Sequence, residues 1–465
     1  MDTLFFPKSV CVIGASRDPT AWGHIIVKNL INGGFAGKIL PINPNTDELL
    51  GIKCYASIKD IPWPIDLAIM VVPSRLVPAL MQECTEKKVL YVVIISAGFR
   101  ETGEQGNDLE RQTMEIARKG KIRVVGPNCM GIYNAYNNMT ATFTSLVPRQ
   151  GGVSFISQSG AVGTTMLAWA KIEGIGFSKF ISLGNEADIS LPEVLGYLAE
   201  DASTTVIALY MESVRGGSFL VKSLRLASKN KPVIVMKVGT TASGVTTALS
   251  HTGALAVEDA LIDGIFRQFC IIRAKDPDEL FHMATSFAEL PLPRGRSAAV
   301  VATGGGWAVE CADLSETKGL TLSPLPDEVL EVADSLLPSY WSRKNPVDMV
   351  AIPNPEAYFK IVEAAIKASI YDMVFLVGFG TIGSIAMPII TEREAEYALK
   401  ISELVHSSNK PVYIVDFLGP SLSASARAFV KNSLPVFINI RSAINAAAEM
   451  VRYQEYINRL KRQIP

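Results

Sequence analysis

Short, continuously apolar segments that alternate with amphipathic stretches constrain the fold of this sequence most. Strands that are apolar along their whole length are typical of a parallel sheet buried on both faces. In the first third, such segments lie at 9–13, 38–42, 66–72, 90–95 and 122–125. Amphipathic stretches such as 22–32 and 104–119 separate them, and this strand–helix alternation predicts a doubly wound α/β fold.

The same alternation continues to the end of the sequence. A glycine-bearing break at 148–152 and a proline-rich linker at 291–295 divide it, so we predict three α/β domains at 1–147, 148–292 and 293–465. Residues 134–144 are predicted to be a polar tail of the first domain. Further strands are predicted at 153–157, 179–183, 206–210, 232–237, 298–302, 373–377 and 412–416, and helices at 277–289 and from 442 onward.

Composition and charge exclude several classes of protein. The sequence has 44 Lys and Arg against 45 Asp and Glu, a net charge of −1, which argues against a nucleic-acid partner. No apolar run approaches the roughly 18 residues of a membrane span, and the N-terminus lacks the pattern of a signal peptide. Six scattered cysteines without a Cys-x-x-Cys pair, and only four histidines, predict reduced thiols in the cytoplasm and no metal centre.

The turn after the first strand predicts an anion site. A glycine-rich turn before a helix directs backbone N–H groups and a positive helix end at a ligand. The dinucleotide fingerprint G-x-G-x-x-G is absent, because Gly14 is followed by Ala15, Ser16 and Arg17. The second strand ends in 43–45, Asn-Pro-Asn, where an acidic residue would bind ribose. A nucleotide-like ligand other than NAD is therefore favoured; the alternative is a tight turn without a ligand.

Three further loops follow strands at the same sheet edge. They lie at 71–74, 96–99 and 126–129 and are built largely from small residues. Each loop by itself is an ordinary turn, but together they favour a groove for an extended ligand at the carboxyl ends of the strands.

His251 lies in a long, polar, glycine-bearing loop, a composition better suited to motion than to packing. The alternative is a structural histidine. Glu212 ends the preceding strand, and a carboxylate beside a histidine can fix its tautomer and stabilise a cationic or phosphorylated ring. The alternative for Glu212 is a carboxylate at a helix N-terminus.

Two glycine-rich helix starts lie at 157–160 and 303–306, in segments that resemble distant repeats of each other. Helix N-termini bind phosphate through their backbone N–H groups. If the two domains face each other, a phosphoryl group fits between both positive helix ends and next to His251.

The motifs GPNC at 126–129, SQSG at 157–160 and SHTGALA at 250–256, in this order, resemble the ADP-forming acetyl-CoA synthetase family, α subunit. This family belongs to the acyl-CoA synthetase superfamily, which includes succinyl-CoA synthetase. The resemblance covers nearly the whole sequence. It implies a Rossmann-like CoA-binding domain followed by two flavodoxin-like, doubly wound ligase domains.

The resemblance also implies roles for individual residues. His251 is the phosphorylated histidine and Glu212 its stabilising partner. The implied phosphate-binding residues are Ser159, Gly160, Ala161, Gly305, Gly306 and Trp307. The implied CoA-binding residues are Gly14, Ala15, Ser16, Arg17, Asn43, Pro44, Val72, Pro73, Ser74, Ser96, Ala97, Gly98 and Asn128. Succinyl-CoA synthetase carries a lysine after its second strand, where this sequence has Asn43.

By the same resemblance, acyl-CoA, ADP and phosphate are converted reversibly to acid, CoA and ATP through an acyl phosphate and a phosphohistidine. The expected ligands of this sequence are coenzyme A, phosphate and a small acid. Since three predicted domains account for the sequence, the ATP-grasp domain that binds ADP or ATP with Mg is expected on a β subunit, in an α2β2 complex. Two alternatives stay open: the same chemistry on succinate, a branched-chain or an aryl acid, and a non-catalytic CoA-binding regulatory protein.

Overall fold

The computed structural model describes residues 1–241, 243–244, 258–385 and 387–462. The chain divides into two compact units, residues 1–280 and 281–465. Within the described ranges, no helix combines the length and the apolarity that crossing a membrane requires. All six cysteines lie in these ranges as buried thiols that are not joined in disulfides.

The apolar runs of the first third form a five-stranded parallel sheet with the order β2-β1-β5-β6-β7. In chain order, the strands are β1 (Ser9–Ile13), β2 (Lys38–Ile42), the small hairpin β3 (Glu48–Leu49) and β4 (Ile52–Lys53), β5 (Leu67–Met70), β6 (Tyr91–Ile94) and β7 (Arg123–Val125). The helices are α1 (Asp2–Phe5), α2 (Trp22–Gly33), α3 (Val77–Glu86) and α4 (Glu104–Lys119). The predicted strands and helices of this region are confirmed.

A second, seven-stranded sheet has the order β14-β13-β12-β10-β11-β8-β9. Its strands are β8 (Gly131–Asn134), β9 (Met139–Thr142), β10 (Arg149–Ser157), β11 (Gly176–Ser182), β12 (Val206–Met211), β13 (Val233–Lys237) and β14 (Ile272–Ala274). The helices are α5 (Gly160–Ile172), α6 (Leu191–Glu200), α7 (Gly217–Asn230), α8 (Asp259–Gln268) and α9 (Pro277–Glu289). The strands from β10 to β14 are parallel, as predicted.

The predicted polar tail at 134–144 is wrong. The segment contributes to the hairpin of β8 and β9, which extends the second sheet in antiparallel pairing. Its polar side chains are buried because they find hydrogen bonds: Asn134 donates to the carbonyl of Phe5 at 2.8 Å. The hydroxyl of Thr142 accepts from the N–H of Thr144 at 3.2 Å, and the backbone carbonyl of Thr142 accepts from Asn29 in α2 at 2.8 Å. Buried polar groups with partners cost little, so polar composition did not prevent a strand here.

One apolar core serves both sheets of the first unit. It includes Val10 from the first sheet and Ile156 and Leu209 from the second, all fully buried. Arg123, at the start of β7, donates both terminal nitrogens to the carboxylate of Glu193 in α6, at 2.8 Å each. This bidentate pair and the shared core hold the two sheets in one compact unit.

The second unit contains a six-stranded sheet with the order β16-β15-β18-β19-β20, in which β17 also pairs with β15. Its strands are β15 (Ser297–Ala302), β16 (Thr321–Leu322), β17 (Val347–Asp348), β18 (Met373–Val377), β19 (Val412–Val415) and β20 (Val436–Phe437). The helices are α10 (Gly305–Thr317), α11 (Asp327–Leu336), α12 (Pro355–Lys367), α13 (Thr381–Ile385), α14 (Thr391–Ser407), α15 (Gly419–Leu422), α16 (Ala424–Lys431) and α17 (Ile440–Arg462).

All three sheets share one pattern of strand order. In each, the first long parallel strand has its successor on one side and three later strands on the other, as in flavodoxin-like folds; in the third sheet the short β17 also pairs with this strand. The predicted doubly wound topology is confirmed in each sheet. In such sheets, ligands bind beyond the carboxyl ends of the strands where the winding direction reverses, that is, near the ends of β1, β10 and β15.

Candidate functional site

The turn after β1 has a conformation that requires glycine. Gly14 has a φ of +93°, and a Cβ on this residue would lie 2.2 Å from the carbonyl oxygen of Val71, at the end of β5. The N–H groups of Gly14 and Ala15 both donate to the carbonyl of Ile42, at 3.2 Å. The turn is therefore held against the ends of β2 and β5, the two neighbours of β1, at the point where the sheet changes winding direction.

Side chains of Asn43 and Ser96 join the predicted CoA-binding loops to one another. Asn43 Nδ2 donates to the carbonyl of Ala15 at 2.6 Å. Ser96 Oγ accepts from the N–H of Val72 at 3.2 Å and donates to the carbonyl of the same residue. The N–H of Asn128 donates to the carbonyl of Ser96 at 3.0 Å. The loops after all five strands thus form one continuous, hydrogen-bonded edge.

The other predicted CoA-binding residues lie along this edge. Gly98 has a φ of +102°, and a Cβ there would lie 2.7 Å from Ser74 Oγ, so these two loops are in close contact. The carbonyl of Ser16 lies 2.9 Å from Nδ1 of His24, which packs the turn against α2. Exposed residues complete the edge: Arg17, Pro44, Pro73 and Ala97.

In the second sheet, Gln158 directly follows β10 and connects three loops. Its Oε1 accepts from the N–H groups of Glu212 at 2.7 Å and Ser213 at 2.9 Å, after β12. Its Nε2 donates to Glu186 Oε1 at 2.6 Å, after β11. The side chain is only 8% exposed. Because β10 and β12 flank the winding reversal of this sheet, Gln158 determines the geometry where a ligand is expected.

A cavity of about 220 Å³ lies where the strand ends of the two sheets meet. Loops after β6 and β7 supply one wall, and loops after β10, β11 and β12 supply the other. Residues predicted for three different roles line it together: Ala97, Asn128, Ser159, Gly160, Ala161 and Glu212. The structure therefore brings the predicted CoA-binding edge, one phosphate-binding helix start and the predicted carboxylate to one place.

Asn185, in the loop after β11, is the centre of a polar network in the wall of this cavity. Its Nδ2 donates to Glu101 Oε2 at 2.7 Å and to Glu110 Oε2 at 2.9 Å. Its Oδ1 lies 3.5 Å from Asn128 Nδ2. Glu101 in turn accepts from the N–H of Gly98 at 2.6 Å. Burial by itself would raise the pKa of Glu101, but these hydrogen bonds outweigh it and lower the pKa.

Helix α5 points its N-terminus at the cavity. Ser159 is its N-cap, and the hydroxyl of Ser159 accepts from the N–H of Val162 at 3.4 Å. Gly160 is tightly packed, since a Cβ there would lie 2.5 Å from Met130 Cγ. N–H groups in a first helical turn have no intrahelical acceptors, so those of Gly160 and Ala161 are suited to an anion.

Glu212 lies directly after β12 and lines the cavity. Helix α7 begins only at Gly217, and its first turn contains no acidic residue. The alternative of a helix N-terminal carboxylate therefore does not hold. Lys237 Nζ donates to the carbonyl of Glu212 at 3.0 Å and tethers this strand end to the neighbouring strand β13.

Two groups of predicted residues are not part of this cavity as described. His251, with Ser250 and Thr252, lies outside the described residues. Gly305, Gly306 and Trp307 form the first turn of α10 in the second unit. There the Trp307 ring stacks on Phe417 with 4.1 Å between ring centroids and remains 41% exposed.

Six polar residues of the site were not predicted: Arg100, Gln158, Asn185, Glu186, Ser213 and Arg215. Each lies in a loop that follows a parallel strand, which is the signal that could have identified them. Burial raises the pKa of Glu186. It likewise raises the pKa of the Cys129 thiol to about 12, which disfavours the thiolate form that a nucleophilic cysteine requires.

Two family models match the chain, one over all of the first sheet and one over the parallel strands of the second. Residues 8–135 match a CoA binding domain, and residues 150–287 match a succinyl-CoA ligase like flavodoxin domain. The first match covers the edge that Gly14 and Ser96 organise, and the second covers Gln158, Glu212 and helix α5.

Known proteins resemble the chain along its whole length. It is 37% identical to the α subunit of acetate–CoA ligase [ADP-forming] II from Pyrococcus furiosus, over 97% of both chains. It is also 37% identical to acetate–CoA ligase [ADP-forming] from Methanocaldococcus jannaschii, over 99% of this chain and 65% of that longer protein. In structure it resembles a Candidatus Korarchaeum cryptofilum acetyl-coenzyme A synthetase solved with phosphate and ADP. The TM-score is 0.89 and the identity 30%, over 100% of this chain and 99% of that chain.

Proposed function

This chain belongs to the family of ADP-forming acetate–CoA ligases, and on that premise we propose that it catalyses thioester phosphorolysis within the reversible reaction of acyl-CoA, ADP and phosphate to acid, CoA and ATP. The acid we propose is acetate, the one that the names of its relatives carry. One observation carries the proposal: the cavity joins the CoA-binding edge of the first sheet to the N-terminus of α5 and Glu212 in the second.

Coenzyme A lies along the edge from Gly14 to Asn128 in this proposal, with its thioester at the cavity. The hydrogen bonds of Asn43 and Ser96 hold that edge in place before the ligand arrives. Small residues at the strand ends leave space for the backbone of the protein to approach the ligand closely.

In the first step, an oxygen of inorganic phosphate attacks the carbonyl carbon of the thioester. The carbon–sulfur bond breaks, an acyl phosphate forms, and CoA leaves as a thiolate that takes up a proton. The N–H groups of Gly160 and Ala161, at the positive end of α5, stabilise the negative charge on the phosphate oxygens.

In the second step, a ring nitrogen of His251 attacks the phosphorus atom, and the bond to the acyl oxygen breaks to release the acid. This step is proposed from the sequence motif, since His251 lies outside the described residues. Glu212 stabilises the phosphorylated ring by accepting a hydrogen bond from its other nitrogen. The helix start at Gly305, Gly306 and Trp307 is proposed as the second phosphate cradle.

The remaining assignments complete the proposal. His251 passes the phosphoryl group to ADP, held with Mg on an ATP-grasp β subunit in an α2β2 complex in the cytoplasm. Within the chain we propose a CoA-binding domain at 1–147, a ligase domain at 148–292 that carries His251, and a second ligase domain at 293–465.

The test is ATP formation by the full-length chain together with its ATP-grasp partner. Acetyl-CoA, ADP and phosphate should give ATP, and a panel of succinyl-, branched-chain acyl- and aryl-CoA thioesters should give less. ATP from another thioester alone would keep the chemistry and overturn the choice of acetate. Binding of CoA without turnover of any thioester would overturn the proposal and favour a regulatory CoA-binding protein.

A further inference from the structure

Two arginines from different sheets line the cavity. Arg100 lies in the short 3-10 turn Arg100–Thr102, after β6, and Arg215 lies in the loop between β12 and α7. Both border the same space as the N-terminus of α5. None of the phosphate-binding residues implied by the sequence carries a positive side chain, so these two are the cationic groups that the cavity offers among its described residues.

One polar network holds both guanidinium groups. Arg215 Nη1 donates to the carbonyl of Asn185 at 2.9 Å. Arg100 Nη1 lies 3.4 Å from Glu110 Oε1, and Glu110 also accepts from Asn185 at 2.9 Å. Arg215 thus contacts Asn185 directly and Arg100 is linked to it through Glu110, which orients both guanidinium groups before any ligand binds.

Arg100 has hydrogen-bonding capacity that the described protein does not use. Nη2 of Arg100 is buried and makes no hydrogen bond to any described residue. A buried donor without an acceptor is costly, and a guanidinium carries five N–H groups in a planar fork that matches phosphate. Burial and the nearby charge of Arg100 both lower the pKa of Arg215, which reflects two cations close together in a poorly solvated place.

The carboxylates nearby have partners already, and one of them, Glu110, is paired with Arg100 Nη1. Glu101 and Glu110 both accept from Asn185. Glu186 accepts from Gln158 at 2.6 Å and from the N–H of Leu191 at 3.2 Å. The fourth carboxylate of the site, Glu212, lies in the loop after β12, the same loop that contains Arg215. An additional anion in the cavity would therefore complete the coordination of Arg100 and would lie in the space that Arg215 also lines.

The volume of the cavity favours a small anion. At about 220 Å³, it is smaller than the roughly 300–1,000 Å³ of sites that enclose a whole drug-sized ligand. From these observations we propose that Arg100 and Arg215 bind the phosphate group that attacks the thioester, together with the N-terminus of α5. This inference rests on the proposed function and adds to it the residues that determine affinity for phosphate. Bidentate contact with oxygens of the phosphate also holds it in line for attack.

The test replaces each arginine with glutamine in the full-length chain. Transfer of label from radioactive phosphate to the protein is measured while phosphate or acetyl-CoA is varied. The matched controls are Arg118→Gln and Arg225→Gln, which change exposed arginines in α4 and α7. Urea unfolding of every variant identifies loss of fold.

For Arg100→Gln and Arg215→Gln, the half-saturating phosphate concentration should rise about tenfold or more, as expected for losing a charge-assisted hydrogen bond. The half-saturating acetyl-CoA concentration should change less than about twofold. An unchanged phosphate dependence would overturn the inference. A rise confined to acetyl-CoA would also overturn it, and would assign the arginines to the phosphates of CoA.

A further measurement distinguishes failure of this inference from failure of the proposed function. If the wild-type chain takes up no label, binding of inorganic phosphate to the full-length chain is measured by calorimetry. Binding that both variants weaken about tenfold supports the anion site without the reaction, as expected for a lost charge-assisted hydrogen bond. Absence of phosphate binding in the wild type overturns the inference that Arg100 and Arg215 form an anion site.

Discussion

The side-chain oxygen of Gln158 accepts a hydrogen bond from the backbone N–H of Glu212 at 2.7 Å. The amide nitrogen of the same side chain donates to Glu186 at 2.6 Å. The chain continues from Gln158 directly into the N-cap of α5, the helix start that we propose binds phosphate. Gln158 therefore fixes the position of Glu212, the proposed partner of the phosphohistidine, relative to that helix start.

Replacing Gln158 with leucine should impair catalysis more than CoA binding. The change leaves two buried N–H groups without acceptors, so the free energy of unfolding should fall by about 1–3 kcal/mol. Because Glu212 loses its anchor, kcat should fall at least about tenfold while the KM for acetyl-CoA stays within about twofold. Gln112→Leu, on the exposed face of α4, is the control. A parallel change in kcat and in the KM for acetyl-CoA would contradict the positioning role.

Gly14→Ala should disrupt the CoA-binding edge. Both Gly14 and Gly51 have a positive φ, +93° and +78°, so alanine at either costs about 1–2 kcal/mol of backbone strain. Only at Gly14 would the new Cβ also lie 2.2 Å from a carbonyl oxygen, whereas nothing lies within 4 Å at Gly51. Calorimetry should show CoA affinity lowered at least about tenfold in Gly14→Ala, a loss of about 1.4 kcal/mol or more. Equal affinities in Gly14→Ala and Gly51→Ala would show that the close approach to β5 is unimportant.

The stability of the second unit should depend on the charge of Glu394. This residue of α14 is 5% exposed, and burial, with a smaller contribution from the nearby carboxylate of Asp416, raises its pKa from 4.5 to about 7. Since the folded state holds this proton more tightly than the unfolded state, the free energy of unfolding should fall as the pH rises from about 4.5 to about 7. At 1.36 kcal/mol per pKa unit, the fall is of the order of 3 kcal/mol.

Urea unfolding of the full chain at pH 5 and pH 8 measures this effect. The N–H of Gly383 donates to the Glu394 carboxylate at 3.2 Å, and Glu394→Gln keeps an acceptor for it. This substitution should remove most of the difference in the free energy of unfolding between pH 5 and pH 8. Glu392→Gln, an exposed position in the same helix, should leave it intact. A pH dependence that persists in Glu394→Gln would assign the effect to other groups.

Periodicity predicted most of the secondary structure. β1 and β2 begin and end where predicted, because every residue of β1 is buried and a strand buried on both faces has a continuous apolar signal. The hairpin of β8 and β9 was missed because its buried residues include Asn134, Thr140 and Thr142. The side chain of Asn134 bonds the carbonyl of Phe5, far away in the chain, and no local pattern reports such a partner.

The site was predictable in part for a related reason. Gly14, Ser96 and Ser159 follow strands in glycine- and serine-rich turns, which have a local signature. For Arg100, Asn185 and Arg215 the sequence signal is only a position in a loop after a parallel strand, which does not show that they meet, because the strand ends of two sheets bring them together. Their roles follow from the tertiary structure and not from spacing along the chain.

The most direct test of the account is whether the chain phosphorylates itself on His251. The full-length chain is incubated with acetyl-CoA and radioactive phosphate, and acid-labile, base-stable label on the protein is measured. The wild type and His406→Ala, which changes an exposed histidine of α14, should both be labelled, and His251→Ala should not. Label on His251→Ala equal to that on the wild type would contradict the account.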